Sequence, residues 1–321
     1  MRSLKSAVQL AFHRSGGLRL ARFLHRRGCR ILMYHHFSDP SALAAQCAHL
    51  RKHYRLVSLA EVADCLDAGL PPPPHSLAVT VDDGYGDFFH SAFPVFSAFR
   101  IPVTVFLVTD FLDRHSWLWV DQIQYAFARA GVSTLEIELP GQTLRFPLLS
   151  SGQRQQAADQ VKEAVKSLSD PDRRALLSRL PDLLQTGLPA EPPPEFQPLT
   201  WDQVRLLARD GIEFGAHTKS HPILSAIAGQ EELREEILGS KRRIEDELEK
   251  PVAHFCYPNG RARDIHHPAI DCVRRAGFRT AVTAEPGLNF AGADLFLLRR
   301  IGVVAPLPEL AFRQCAAGFR I

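Results

Sequence analysis

The sequence predicts an α/β fold made of parallel βα units that close, or nearly close, into a barrel carrying a helical and hairpin insertion. Three observations predict it. Short apolar runs that suit buried strands alternate with stretches at helical spacing. Residues able to do chemistry stand at the carboxyl ends of those runs, where parallel folds gather function. The alternation lapses once, between about 113 and 198, and then resumes.

Arg30-Ile-Leu-Met-Tyr-His35 is the first buried strand. A helix over about 41–54 follows Asp39, with Leu43, Cys47 and Leu50 on one face. Leu56–Leu59 is a brief extended run, and the helix near 60–68 after it is stopped by Gly69 and Pro71–Pro74. Ser76–Val81 is a continuous apolar strand ending at Asp82-Asp83-Gly84. Residues 87–99 suit a helix, and Val103–Val108 another buried strand. The interruption holds Trp117-Leu-Trp119, a hairpin over 134–139 and 142–146 turning at Pro140-Gly141, and polar helices near 151–168 and 171–184. Proline-rich 189–198 closes it. Neither helix shows a core of its own, so an insertion on one domain is expected, not a second domain.

The pattern resumes with a helix opened by Thr200-Trp201 and a short strand that ends at His217. A charged helix over 231–248 turns Leu233, Ile237 and Ile244 inward. Strands follow at His254–Tyr257, Thr280–Thr283 and Leu297–Val304, with a helix near 267–276 between the first two. About seven strands in parallel βα units suffice for a barrel spanning residues 30–321.

At 321 residues, with 45% hydrophobic and 23% charged residues, the chain has the composition of an ordinary globular protein. Its six cysteines form no Cys-x-x-Cys, so reduced thiols are expected and a cysteine metal site is not. The net charge of +3 hides an asymmetry. Residues 1–38 hold eight Lys or Arg and no acid, leaving 30 basic against 35 acidic residues beyond. Residues 1–29 form a basic arm, with Leu4, Val8 and Phe12, then Leu20 and Leu24, at helical spacing about Gly16-Gly17. Two readings stand: a helix pair packed on the domain, or peripheral contact of residues 1–30 with an anionic membrane or glycolipid. Nucleic acid is disfavoured, since no aromatic or glycine-rich readout motif accompanies the charge. No segment has the length of a secretory signal core or a spanning helix, so a cytoplasmic protein, peripheral to the inner membrane face at most, is expected.

The chemistry lies in Asp82-Asp83 and in His217-Thr-Lys-Ser-His221. An Asp-Asp-Gly alone is most often a turn, and a His-x-x-x-His pair alone is most often structural. Together they offer one carboxylate and two imidazoles for a divalent ion with open positions, plus a spare carboxylate to move a proton.

Four ordered segments carry a resemblance: Thr80-Val-Asp-Asp-Gly84, Ala98–Phe106, Gly211–His221 and Phe255-Cys-Tyr-Pro-Asn-Gly260. Over about residues 30–305, without the insertion, they resemble the polysaccharide deacetylase family with the NodB homology domain. The resemblance implies an incomplete (β/α)7 barrel and metal-dependent hydrolysis of an N-acetyl group on an amino sugar of a glycan or glycolipid, usually with zinc. It makes Asp82 the general base and Asp83, His217 and His221 the metal ligands. Tyr257 and Pro258, with Gly260 behind them, would line the substrate groove, and the Tyr257 N–H would support the oxyanion. The chain departs from the family twice: the arginine before Tyr-Pro is absent, and no histidine follows His267 to serve as the C-terminal acid. Met33-Tyr-His35-His36 resembles the exopolysaccharide-type branch, in which an N-terminal histidine takes that role, so His35 is the expected acid and His36 the second choice.

Trp117 and Trp119 are expected either to stack on a sugar or to form the insertion's small core. Arg300 is expected near the substrate, orienting Asp82 by an ion pair, or on the surface. Asp121 is expected to be either a lid carboxylate or, the reading favoured, an ordinary helix N-terminal charge. Alternative activities are hydrolysis of another non-peptide C–N bond on the same fold, or silent glycan binding.

Overall fold

The computed structural model describes residues 17–318. Leu4, Val8 and Phe12 of the basic arm lie outside the described residues. Among the described residues there are ten strands: β1 (Arg30–Tyr34), β2 (Arg55–Leu56), β3 (Ser76–Val81), β4 (Val103–Leu107), β5 (Thr134–Leu139), β6 (Gln142–Pro147), β7 (Glu213–Ala216), β8 (His254–Cys256), β9 (Thr280–Pro286) and β10 (Leu298–Gly302). Seven of them pair in parallel in the order β1-β10-β9-β8-β7-β4-β3, and β3 pairs back onto β1 from Arg30↔Leu77 to Tyr34↔Val81. The ring is therefore a closed seven-stranded barrel, and short β2 attaches to the start of β3.

Strand side chains alternate between two surfaces. Ile31, Ala78, Phe106, Cys256, Val282 and Leu298 meet inside the barrel. Their neighbours Leu32, Val79, Val105, Phe255, Ala281 and Ile301 join the larger cluster formed with the surrounding helices. Tyr34 follows this outer set, stacked on Phe37 and donating its hydroxyl to Gln46 at 2.8 Å. The inner set continues upward by steps of two, to His35 after β1, Asp82 after β3 and His217 after β7. Parity alone thus brings three reactive residues to one mouth. The interior is full below them: a Cβ on Gly215 would meet the Phe106 ring at 2.5 Å, so glycine is required where that ring crosses the barrel.

The insertion is more self-contained than its sequence suggests. Helices Trp119–Ala128, Ser151–Val165 and Asp170–Leu183 pack with the β5–β6 hairpin around their own cluster, which includes Ile123, Phe127, Ile137, Phe146, Val161 and Leu180. Each helix contributes a few core side chains, several of them as small as Ala157 and Ala158, so no one helix shows a strong stripe. At the chain's start the helix Gly17–Leu24 buries Leu18 and Ala21 against Ala317 and Leu310. A closing helix, Glu309–Ala316, buries Phe312 and Ala316 one turn apart, too short a pattern to register as periodic. Among the described residues no helix is long and apolar enough to cross a membrane.

Candidate active site

The last ladder bonds of the sheet set the two key residues. Asp82 N–H donates to Tyr34 O at 2.9 Å, and His217 N–H donates to Leu107 O at 2.9 Å. The chain then leaves each strand through left-handed residues that are not glycine: Asp83 at φ 72° after β3, and Thr218 at 67° and His221 at 60° after β7. Such backbone costs energy and is kept where surroundings over-determine it. Here it turns Asp83 away from Asp82 and swings His221 back toward His217. Residues 217–221 are a loop, not the helical face that a four-residue spacing suggests. Their rings lie 4.9 Å apart at 74°.

Asp83 Oδ1 faces both imidazoles, 3.3 Å from His217 Nε2 and 3.5 Å from His221 Nε2. All three residues are buried, and Asp83 Oδ1 accepts no hydrogen bond. His217 Nδ1 lies 2.7 Å from Cys256 O, so its proton sits there and the Nε2 lone pair points into the cluster. Burial holds His221 neutral, down to about 3. Burial also opposes charge on His217, but Cys256 and Asp83 outweigh it and raise that ring. Three converging donor atoms and an orphaned carboxylate oxygen ask for one positive centre, and their N, N, O set fits a divalent cation. A second grouping, Asp82, His217 and Cys256, fits poorly. Both Asp82 oxygens are taken, and burial raises the Cys256 thiol, keeping it protonated.

Arg300 takes those oxygens. It reaches up from β10 inside the barrel and grips Asp82 with two bonds, Nη1 to Oδ1 at 2.6 Å and Nη2 to Oδ2 at 2.7 Å. Its Nε donates to Thr283 O at 2.8 Å, and Nη1 to Thr80 Oγ1 at 3.1 Å. Burial would raise the Asp82 pKa, yet Arg300 overrides it and holds the carboxyl below its ordinary value. Arg300 is 1% exposed, so it orients Asp82 and does not meet substrate.

His35 stands at the mouth with Nε2 3.8 Å from Asp82 Oδ2 and its side chain 42% exposed. His36 is committed elsewhere. It bonds Asp87 Oδ2 through Nδ1 at 3.2 Å and lies on the Tyr85 ring with centroids 3.8 Å apart.

The structure corrects several expected substrate contacts. Tyr257 N–H donates to Val282 O at 3.2 Å, because the β8–β9 ladder runs one residue past Cys256, so it is not a free oxyanion donor. The Tyr257 side chain is buried against Phe255 in the outer core, and Pro258 is buried too. Gly260, at φ 68°, accepts Ala284 N–H at 2.8 Å, and a Cβ there would meet that nitrogen at 2.7 Å. The loop after β8 therefore anchors to β9. Trp119 is 6% exposed within the insertion's core, and its indole N–H donates to His221 O at 3.1 Å. It braces the loop that carries His221. Trp117 is likewise packed, on Phe196 and Tyr125.

Three contributors escaped sequence reasoning. Glu236 braces the histidine loop, accepting Lys219 N–H and Ser220 N–H at 2.9 Å each and the Ser220 hydroxyl at 2.6 Å. Tyr85 donates its hydroxyl to Asp121 at 2.8 Å. Asp121 stands in the first turn of the helix Trp119–Ala128, as expected, but it is buried, and burial pushes it up to about 7. Only the proximity of Tyr85 to Asp82-Asp83 in the sequence hinted at this link.

The fold has solved counterparts. The Streptococcus pyogenes deacetylase PplD, solved with acetate, superposes with a TM-score of 0.57 at 18% identity, covering 86% of this chain and 92% of that one. IcaB from Ammonifex degensii gives 0.58 at 17%, covering 92% and 98%. By sequence, the chain is 36% identical over 74 residues to the poly-beta-1,6-N-acetyl-D-glucosamine N-deacetylase of Escherichia coli, 23% of this chain and 11% of that protein. It is 25% identical over 114 residues to YxkH of Bacillus subtilis, 36% of this chain and 39% of that one. The matches thus span well under half of those relatives. The family model for polysaccharide deacetylase matches residues 69–281, a stretch that contains both aspartates and both histidines. With that match over most of the chain, a seven-stranded barrel and an Asp-Asp and His-His cluster at its mouth, the chain belongs to the polysaccharide deacetylase family.

Proposed function

We propose that the protein removes acetate from an N-acetylated amino sugar in a polysaccharide, oligosaccharide or glycolipid. The observation that carries this reading is the division of labour between adjacent aspartates: Asp83 faces His217 and His221, while Asp82 is held apart by Arg300. Asp83, His217 and His221 would hold a divalent cation, zinc being favoured by two imidazoles and one carboxylate. When bound, it supplies Lewis-acid polarisation of the amide carbonyl and makes water more acidic. Asp82, kept ionised by Arg300, accepts the proton of the attacking water. His35, at the exposed mouth, gives a proton to the departing amine, which otherwise leaves poorly. Arg300 and Trp119 position these groups without touching substrate. The six cysteines form no disulfide with one another, which supports residence in a reducing compartment.

The test is acetate release from N-acetylglucosamine oligomers and from lipid-linked acetamido sugars, with Asp82→Asn and His35→Ala alongside. Turnover on at least one acetamido sugar, lost in Asp82→Asn with metal content unchanged, is the expected result. A metal-replete protein that releases acetate from none of them, or an Asp82→Asn protein of full activity, would overturn the reading.

A further inference from the structure

The helix Gly17–Leu24 is attached by one side only. Leu18 and Ala21 face the body, whereas Leu20, Phe23 and Leu24 are 56%, 56% and 64% exposed. Nine large apolar side chains are exposed among the described residues, and three belong to this one helix. A fourth, Phe290, packs over Gly28 just beyond it, since a Cβ on Gly28 would meet the Phe290 ring at 2.9 Å. Concentration of this kind is not scattered surface apolarity.

Beside the helix lies a cavity of about 760 Å³ between it, the helix Pro40–His53 and the helix Glu309–Ala316. Arg19, Arg22, Lys52, His53 and Arg313 line it, against one carboxylate, Glu309, which is already paired with Arg313. Arg19, Arg22 and Lys52 make no ion pair among the described residues, and the sixteen residues before the helix contain three more basic residues and no acid. His53 is pushed below its ordinary value by burial and then by Arg22, Lys52, Arg313 and Arg19, which registers a positive potential in the cavity. Lys52 comes from the body of the fold, so the charge is a built feature and not only a property of the arm.

An exposed apolar stripe flanked by unneutralised cations is what an anionic bilayer surface complements: the stripe enters the headgroup and acyl boundary while phosphates meet the cations. We propose that this face docks on an anionic membrane surface, with Leu20, Phe23 and Leu24 inserted and a lipid phosphate seated among Arg19, Arg22 and Lys52. The helix leads into the amino end of β1, and Lys52 and His53 immediately precede β2, so the docked face lies toward the end of the barrel opposite the catalytic mouth. The protein would sit on the bilayer with its mouth turned to the aqueous side. This placement does not depend on the deacetylation chemistry.

The test is co-sedimentation of the full-length protein with vesicles of phosphatidylcholine alone or mixed with phosphatidylglycerol. Binding to the anionic vesicles only, weakening as salt rises, is expected. Leu20→Ser with Leu24→Ser should lower the partition coefficient at least tenfold, and Arg19→Gln with Lys52→Gln by roughly fivefold per charge removed. All four side chains are exposed, so the fold is not at risk. Binding to neither vesicle, equal binding to both, or unchanged binding in either variant would overturn the proposal; an unaffected Arg19→Gln, Lys52→Gln protein would leave only a basic tail.

Discussion

Replacing Arg300 by methionine is the sharpest test of the site's construction. The change keeps most of the side-chain volume and removes the charge, leaving Asp82 at 2% exposure without its guanidinium partner. Two charge-assisted bonds at 2.6 and 2.7 Å are lost. At about 1.5–3 kcal/mol for each bond to a charged group, the loss is about 3–6 kcal/mol, and breaking buried pairs from one side costs about 3–5 kcal/mol. A cost of about 4 kcal/mol at neutral pH is therefore expected. Its pH dependence has a definite sign. In the native protein the Asp82 pKa is depressed, so its contribution is complete above the unfolded carboxyl value of about 3.9 and fades as pH falls through the lower folded value. In the variant burial loses its main opponent and only His35 and His217 still act against it, so the carboxyl rises and protonation on acidification relieves the penalty. The gap between the two proteins should thus narrow from pH 7 to pH 5, while Asp82→Asn combined with Arg300→Met recovers much of the lost stability. Urea unfolding of the four proteins at both pH values, followed by tryptophan emission, completes the cycle. A cost under about 1 kcal/mol for Arg300→Met, or additive effects in the double variant, would show that the pair is not the keystone described.

Other predictions follow from the same coordinates. Trp119→Phe keeps the packing of the insertion but deletes the bond to His221 O; metal affinity should fall about tenfold by competition with a chromophoric chelator, and unchanged affinity would deny that bond an orienting role. Asp113 accepts Trp201 Nε1–H at 2.7 Å and two Arg243 N–H bonds at 2.8 and 3.0 Å, which together lower its pKa against the opposing effect of burial. Asp113→Asn should cost about 1 kcal/mol at pH 7, with the difference vanishing below about pH 4 as the native carboxyl protonates; a difference that grows on acidification would reverse the argument. Burial pushes the thiols of Cys29 and Cys47 up to about 12. Alkylation of these two at pH 8 should proceed only as fast as the protein opens, and labelling at the rate of a free thiol would contradict their burial.

Much of this was legible from residues, and what was not has physical reasons. Strand positions at Ile31, Ala78 and Cys256 are read from apolar runs, and counting by twos from them reaches His35 and Asp82 without coordinates. Arg300 could be anticipated as a partner of Asp82 from its place on the last strand and from the family resemblance, but its complete burial could not. The loop at His217–His221 was less visible: local spacing suits a helix, and only tertiary bonds from Glu236 hold the left-handed turns that converge the rings. The Tyr257 N–H was misassigned because a motif names a residue and not the extent of its ladder. Asp121 was read by its place at a helix start, whereas a hydroxyl 36 positions away decides its environment. The insertion's core is similarly long-range, assembled from a few side chains of each element.

The guanidinium of Arg300 also decides where protons can travel. Phe106 and Arg300 fill the bore beneath Asp82, with the guanidinium carbon 5.9 Å from the ring centroid. In the proposed reaction, a proton received by Asp82 would have the His35 imidazole beside it at the mouth, 3.8 Å away. Uptake and delivery of hydrogen ions would then meet at one place, and the proton taken from water by Asp82 would be the one His35 returns to the amine.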